Sequence, residues 1–181
     1  GPTRVFDMVQ QLAEPDAWYL DRFRIDAVNA GREFAPDRWK DWALPDGSLC
    51  RVPAYFDLRR EGDDWFVYGP DGTAIGRMIS GATYFTQACF PMDGDDWESK
   101  LGDLPRHMGK VCWAGMAEPI YEGGLSDANL TRIGAHVAAL RKRQDRAIMI
   151  AFGANLFEWG SFLRRLDNFC LDLAAEPAKA E

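Results

Sequence analysis

Acidic and amide side chains follow two apolar stretches of this sequence, where they could contact a small ligand. Asp26 stands near the end of the first stretch, Phe23–Val28, and Asn155 and Glu158 come just after the second, Ala147–Phe152. A single acid at the end of an apolar strand is a site candidate, and an asparagine amide can both donate and accept hydrogen bonds. We therefore take Asp26, Asn155 and Glu158 as candidate functional residues.

Each of these residues also has a purely structural interpretation. Asp26 could cap the turn that follows its strand, and Asn155 could cap the next helix. Glu158 could lie on a solvated helix face. Two aromatic residues, Trp159 beside Glu158 and Tyr84 in a long loop, complete the candidate substrate-binding set.

Other kinds of chemistry find little support in the residue types present. The chain has two histidines, and neither stands beside a serine or an aspartate, so a Ser/His/Asp site is not indicated. No glycine-rich phosphate loop is present. The four cysteines are widely scattered, and His107 and Cys112 are spaced wrongly for one metal on a helix face. We predict no metal site in this chain.

The candidates are positioned by a predicted helix–strand–helix unit near the carboxyl end. Residues 126–144 have a helical apolar stripe, residues 147–152 are apolar without a break, and residues 156–166 and 167–175 read as helices. A strand that is apolar on both faces is typical of a parallel sheet covered by helices. Ligands in such folds bind at the carboxyl ends of the strands, where Asp26 and Asn155 are predicted to share a pocket.

The amino-terminal part carries two further predicted patterns. Residues 3–13 and 16–23 are predicted to be helical. Residues 38–80 repeat a Pro-Asp-Gly turn, at Pro45–Gly47 and Pro70–Gly72, with a third turn at Gly62. The segments between these turns are rich in aromatic and β-branched residues, so 38–80 is predicted to be an antiparallel β-meander.

Composition limits the classes of protein to which this chain can belong. The chain has 181 residues, 47% of them hydrophobic, which predicts one globular domain over 1–181. Its net charge of −7 and the absence of a basic cluster argue against nucleic acid. No apolar run is long enough to span a membrane. Reduced, scattered cysteines favour a cytoplasmic protein.

Four segments, taken in order, resemble a known family. They are RVFDMVQQLAEPDAWYLDRFRIDAV, WALPDGSLCRVPAYFDLRREGDDWFVYGPDGTAIGRM, GATYFTQACFP and RAIMIAFGANLFEWGSFLRRLDNFCLDLAAEP. Together they look like the amino-terminal part of the uroporphyrinogen decarboxylase superfamily. The likeness is greater to its decarboxylase-like branch, which includes corrinoid-dependent methyltransferases.

The resemblance implies a (β/α)8 TIM barrel, which typically takes about 250 residues. A chain of 181 residues with a meander inserted at 38–80 cannot complete one. The expected fold class is therefore α/β, a partial barrel containing the second and third βα units. The chain would then be a fragment of a longer enzyme and inactive alone.

The resemblance also implies the chemistry of that longer parent. Asp26 matches an aspartate that contacts the pyrrole nitrogens in the decarboxylases, which makes it the candidate catalytic residue. In the methyltransferases, zinc is held by a His-x-Cys pair and a later cysteine, all in the carboxyl-terminal half, and no His-x-Cys occurs here. The expected function is methyl transfer involving a corrinoid protein, with zinc and that partner belonging to the parent. Uroporphyrinogen decarboxylation is the alternative.

A third hypothesis comes from a different class of protein. A partial barrel leaves strand edges unpaired, and exposed edges invite pairing with another chain. The chain could therefore be a non-catalytic binding module that covers its open sheet by self-association.

Overall fold

The computed structural model of the protein describes residues 2–30, 39–113, 126–150 and 155–180. Its strands, in chain order, are β1 (Thr3–Asp7), β2 (Leu12–Ala13), β3 (Ala27–Asn29), β4 (Trp39–Ala43), β5 (Leu49–Pro53), β6 (Asp57–Glu61), β7 (Asp64–Tyr68), β8 (Ala74–Met78), β9 (Thr86–Gln87) and β10 (Ala147–Met149). Its α-helices are α1 (Ala17–Arg22), α2 (Trp97–Lys100), α3 (Leu104–Met108), α4 (Asp127–Arg143), α5 (Leu156–Arg164), α6 (Leu166–Ala175) and α7 (Pro177–Ala180). A 3-10 turn, Leu101–Asp103, links α2 to α3.

The described strands form three separate sheets. One sheet has the order β2-β1-β5-β4, another the order β6-β7-β8-β9, and the third pairs β3 with β10. Only the pairs β1–β5 and β3–β10 among the described strands are parallel. The remaining pairs are antiparallel.

The predicted partial TIM barrel is therefore wrong. A barrel of that type needs successive parallel strands in one sheet, joined by helical crossovers. Here most of the strand-forming sequence lies in hairpins whose tight turns can join only antiparallel partners. The two parallel pairs stand in different sheets and do not continue into one another.

The predicted turns are confirmed within the described residues 39–80, as are the strands at β4, β7 and β8. The single segment predicted between the turns at Gly47 and Gly62 is two strands, β5 and β6. Gly47, Gly62 and Gly72 have φ values of 84°, 60° and 78°, the left-handed conformation that these turns require. The meander is not one sheet, however. The chain leaves β5 at Pro53, and β6 begins a second sheet at Asp57.

The helix predicted over residues 3–13 is wrong. β1 is extended and ends at Asp7, whose carboxylate accepts hydrogen bonds from the backbone N–H groups of Val9 (2.9 Å) and Gln10 (3.1 Å). This side-chain bond turns the chain. Gln11 follows with φ 53°, and β2 then runs back along β1. The apolar residues Val5, Met8 and Val9 are buried from a strand and a turn rather than from a helix face.

The helices predicted near 16–23, 126–144, 156–166 and 167–175 are confirmed as α1, α4, α5 and α6. The strands between them are shorter than predicted. β3 covers three residues, and β10 ends at Met149. Residues 151–154 of the second predicted strand and its turn lie outside the described residues.

Apolar side chains gather in two clusters. The larger is built mainly from the sheets, and its buried members include Val52, Phe56, Val67, Ile75 and Met78. The smaller contains Met92, Val111 and Leu163, with Trp159 and Phe162 packed against it. The candidate site described next lies beside the amino-terminal sheet and the β3–β10 pair.

Candidate functional site

A cleft of about 750 Å³ opens between the β1–β2 hairpin, helix α1 and strand β3. Its walls are mainly apolar, with two carboxylates and one amide among them. The described lining residues are Phe6, Ala13, Glu14, Pro15, Asp16, Trp18, Tyr19, Leu20, Ile25, Ala27, Val28 and Asn29.

One wall is α1, and local bonds determine how it enters and leaves. The backbone carbonyl of Asp16 accepts hydrogen bonds from the N–H groups of Tyr19 (2.9 Å) and Leu20 (3.2 Å), which starts the helix. At the other end Arg24 has φ 50°, and the N–H of Ile25 donates to the carbonyl of Leu20 at 2.9 Å. This turn brings Ile25 back into the cleft.

The opposite wall is β3, held in place by a distant part of the chain. β10 pairs with it in parallel, and the N–H of Ala30 donates to the carbonyl of Met149 at 2.7 Å. Arg146 adds two bonds: its Nε donates to the carbonyl of Ile25 at 2.9 Å, and its guanidinium forms an ion pair with Asp21. Arg146 therefore ties both ends of the α1–β3 connection to β10.

Glu14 is the more enclosed of the two carboxylates. Its backbone N–H donates to the carbonyl of Arg4 at 2.8 Å, and its side chain lies 3.6 Å from the Arg4 guanidinium. Burial raises the pKa of Glu14 above its ordinary value, and Arg4 opposes that shift only in part. Glu14 is thus a carboxylate that its surroundings disfavour in the charged form.

Asp16, Trp18 and Tyr19 line the cleft on the α1 side, and Phe23 follows at the end of that helix. The Asp16 carboxylate accepts a hydrogen bond from the Trp18 indole N–H at 3.2 Å. The ring centroids of Trp18 and Tyr19 are 5.8 Å apart in an edge-to-face arrangement, and those of Tyr19 and Phe23 are 4.6 Å apart. These rings are 64%, 42% and 60% exposed, which is unusual for three neighbouring large side chains.

The described lining offers recognition groups but few reactive ones. It contains carboxylates, an amide, a phenol and aromatic rings, while no serine, threonine, cysteine, histidine, lysine or arginine of the described residues lines it. Such a surface can bind a ligand through apolar area and a small number of directed polar contacts.

A second, shallower groove of about 630 Å³ lies against α5 and α6. It is lined by Gln87, Phe90, Ser161, Phe162, Arg165, Leu166, Asp167 and Cys170. Its charged groups are paired, since Arg165 contacts Asp167 and lies 3.3 Å from Asp93. Little polar surface is left to orient a ligand there.

Asp26 is not where the sequence placed it. It precedes β3, and its carbonyl accepts the N–H of Ala147 at 2.7 Å, so it stands at the amino end of the parallel pair. Its side chain is exposed and is not among the described residues that line the cleft. The residue at the carboxyl end of β3 is Asn29, which does line it.

The three candidates near α5 do lie together. The Asn155 side-chain amide donates to the Glu158 carboxylate, and no capping bond from that side chain to the helix is formed. Both residues are exposed. Trp159 packs into the smaller apolar cluster, with its ring centroid 6.2 Å from that of Phe162. These contacts are structural, and none of the three lines the cleft.

Tyr84 lies in the loop between β8 and β9 and is 57% exposed. It is outside the described lining of both the cleft and the groove. The residues that do form the cleft have a signal of their own in the sequence, which the strand-end rule misses. Glu14-Pro15-Asp16-Ala17-Trp18-Tyr19 places two carboxylates beside two aromatic residues at the start of a helix.

Comparisons with known proteins give no family. No protein-family model matches this chain, no curated protein matches it, and no solved structure matches it. In the described parts of the chain, no three His, Cys, Asp or Glu side chains are grouped so that they could hold a metal ion. A search of the same residues finds no helix with the length and apolar character needed to cross a bilayer.

Proposed function

We propose that this chain binds a small molecule in the cleft between the β1–β2 hairpin, α1 and β3. The observation that supports this most is the cavity itself. Its volume of about 750 Å³ falls within the range of about 300–1,000 Å³ typical of ligand pockets. Its lining also has the usual character, apolar walls with a few polar groups that can orient a ligand.

The walls are held by bonds that do not need a ligand. β3 is paired with β10, Arg146 anchors the turn at Ile25, and the Asp7 side chain sets the turn that leads to β2. A cavity whose walls are already ordered binds with a smaller entropic cost than one that must first form.

A plug variant tests the proposal. Ala13 lines the cleft but is exposed, so Ala13→Trp can fill the cavity without overpacking a core. Ala43, an exposed alanine at the end of β4, provides the matched control Ala43→Trp. The probe is Prodan, a neutral naphthalene dye whose emission shifts to the blue in apolar surroundings.

We expect saturable 1:1 binding of Prodan to the unmodified protein and to Ala43→Trp, and loss of binding in Ala13→Trp. Thermal melting of all three proteins checks that the plug leaves the fold intact. Prodan binding that is absent, or that persists unchanged in a folded Ala13→Trp protein, would contradict the proposal.

The enzymatic hypotheses stay predictions from the sequence resemblance alone. Methyl transfer with a corrinoid protein, or uroporphyrinogen decarboxylation, would belong to a longer parent, together with any zinc site. Asp26→Asn in that parent should lower turnover and leave the melting temperature nearly unchanged. Unchanged turnover would remove Asp26 from the chemistry.

Self-association is a second candidate property, favoured by apolar exposure on the carboxyl-terminal helices. Leu156, Leu166 and Leu171 are 82%, 55% and 64% exposed on α5 and α6. Large exposed apolar areas mark interaction surfaces. We expect the protein to sediment as a dimer or larger species and Leu171→Glu to shift it toward monomer. A monomer at every concentration tested would contradict this.

A further inference from the structure

We propose that the ligand of the cleft is a small organic cation, an apolar body carrying one ammonium group. This inference rests on the proposed ligand-binding function and specifies the class of ligand. It is carried by one juxtaposition: carboxylates and exposed aromatic rings meet at the α1 side of the cleft, where no described lining residue is cationic.

The charges favour a cation. The two described cations that contact lining residues are already engaged. Arg4 pairs with Glu14 at 3.6 Å and lies 5.3 Å from the centre of the Trp39 ring, and Arg146 pairs with Asp21. Asp16 forms no ion pair with any described residue. Its charge is therefore left to attract a ligand of opposite sign.

The rings add a second attraction at the same place. The indole N–H of Trp18 is bonded to the Asp16 carboxylate at 3.2 Å, which holds the ring and the charge side by side. An ammonium group beside Asp16 could thus contact both the carboxylate and the π surface of Trp18 or Tyr19. Cations are attracted to aromatic faces, and quaternary ammonium ligands are often recognised this way.

Other ligand classes fit the cleft less well. An anion such as a phosphate ester would meet two carboxylates and no described lysine or arginine in the lining. A wholly apolar ligand would cover the carboxylates without giving them a partner, which is costly. A bare metal ion would find two carboxylates and one amide in apolar walls, fewer side-chain oxygen ligands than such ions take.

Glu14 also favours a cationic ligand. The charged group recorded against it is Arg4 on β1, and Asp16 lines the same cleft. Burial raises the pKa of Glu14, so its ionised form gains from any added positive charge. A bound cation favours the deprotonated carboxylate, and binding of a cation should weaken as the pH falls through the pKa of Glu14.

Competition against Prodan separates charge from shape. Benzyltrimethylammonium and its neutral all-carbon isostere neopentylbenzene have nearly the same size, and phenylacetate is the anionic counterpart. We expect the cation to displace Prodan at a concentration about tenfold lower than the neutral isostere. Phenylacetate should not displace it.

Substitutions then assign the preference to the cleft. Asp16→Asn and Trp18→Leu should each remove most of the advantage of the cation over its isostere. That advantage is measured within each variant as the ratio of the two competition constants, so it does not depend on how tightly the variant binds Prodan. Asp95→Asn and Tyr84→Leu change an exposed acid and an exposed ring outside the described lining and should have no effect. Melting curves confirm that each variant is folded.

The outcomes distinguish the two proposals. If Prodan binds and the plug variant abolishes binding, but cation and isostere compete equally, the cleft binds ligands and the cation proposal is wrong. If the cation competes better and Asp16→Asn does not change this, the proposal is again wrong. If Prodan does not bind, the ligand-binding function itself fails.

Discussion

The two apolar clusters of this protein are stabilised in different ways. The larger cluster has many fully buried members, such as Val52, Val67 and Ile75, each with no exposed surface. The smaller cluster, beside α5, has three buried residues, and the helices around it leave several leucines exposed. Apolar burial thus accounts for most of the stability of the first region and for much less of the second.

The carboxyl-terminal helices have a polar centre instead. Arg164 pairs with Asp172 through bonds of 2.7 and 3.1 Å, and its side chain is only 11% exposed. It also donates to the carbonyls of Met92, Asp93 and Gly94 at 2.9–3.1 Å, and it lies over the Trp97 ring. One guanidinium therefore joins α5, α6 and the 92–97 loop.

The two regions should therefore lose stability through different kinds of substitution. A packed apolar core loses stability through cavities at any of several positions. An arginine-centred region depends on one side chain that satisfies several acceptors at once, most of them partly buried.

Ile75→Ala should be the most damaging of these changes. The side chain is fully buried in the larger cluster, so truncation leaves a cavity and should cost about 4 kcal/mol of unfolding free energy. Ile79, which is 55% exposed just after the same strand, is the matched control, and Ile79→Ala should change stability by less than about 0.5 kcal/mol. Urea denaturation followed by circular dichroism measures both. Equal effects would show that the larger cluster is not the core.

Arg164→Met should cost about 3 kcal/mol, because Asp172 and three carbonyls lose their donor in a mostly buried site. Arg106→Met is the control. Arg106 is 71% exposed and lies 3.6 Å from Asp103, and such surface pairs contribute about 0–1 kcal/mol. Hydrogen exchange of the α5 and α6 amides would localise the loss. If Arg164→Met proves as mild as Arg106→Met, the polar centre is not stabilising.

Replacing two helical glycines by alanine should change stability by smaller amounts and in opposite directions. A Cβ added at Gly160 would lie 2.3–2.6 Å from three atoms of the Phe169 ring, so Gly160→Ala must move α6 or that ring. We expect a net loss of about 1–3 kcal/mol. A Cβ at Gly134 in α4 would meet nothing, and Gly134→Ala should stabilise by about 0.5–1 kcal/mol.

Combining Gly160→Ala with Phe169→Ala should recover part of the loss in a double-mutant cycle, because the clash is removed. Additive losses in the cycle would argue that the two residues do not touch.

The reactivity of cysteine thiols allows the two regions to be compared without any substitution. Cys112 is buried in the larger cluster, and desolvation raises its pKa to about 12. At pH 8 roughly one Cys112 side chain in ten thousand is then a thiolate, the form that reacts with iodoacetamide. Cys170 on α6 is exposed. Mass spectrometry should find Cys170 alkylated in the folded protein and Cys112 only after unfolding. Comparable labelling rates in the native protein would contradict this packing.

Local patterns predicted local structure well. The Pro-Asp-Gly turns at 45–47 and 70–72 require left-handed glycines, and α4 follows from its apolar stripe, so neither depends on distant contacts. The helix predicted over 3–13 was wrong because the apolar pattern was ambiguous. The Asp7 carboxylate accepts two backbone N–H bonds that turn the chain, and β1 pairs with β2 and β5.

The partners of the strands could not be predicted from local sequence patterns. β1 pairs with β5 and β3 with β10, choices made by long-range packing that no short stretch encodes. The prediction that Asp26 and Asn155 share a pocket was wrong for the same reason. Asp26 was placed by a general rule on strand ends, but β3 begins after it. Glu14, Asp16 and Trp18 become a cleft only when the hairpin and β3 meet.

The pairing of β3 with β10 also determines when, during synthesis, the β3 wall of the cleft is first held in place. Arg146 and Ile25, which are bonded across that pair, are 121 positions apart in the chain. Closing so long a loop is slow compared with forming the local turns of the meander. During synthesis the meander can fold while β3 still lacks its partner β10, so this wall of the cleft is held in place only after β10 has left the ribosome.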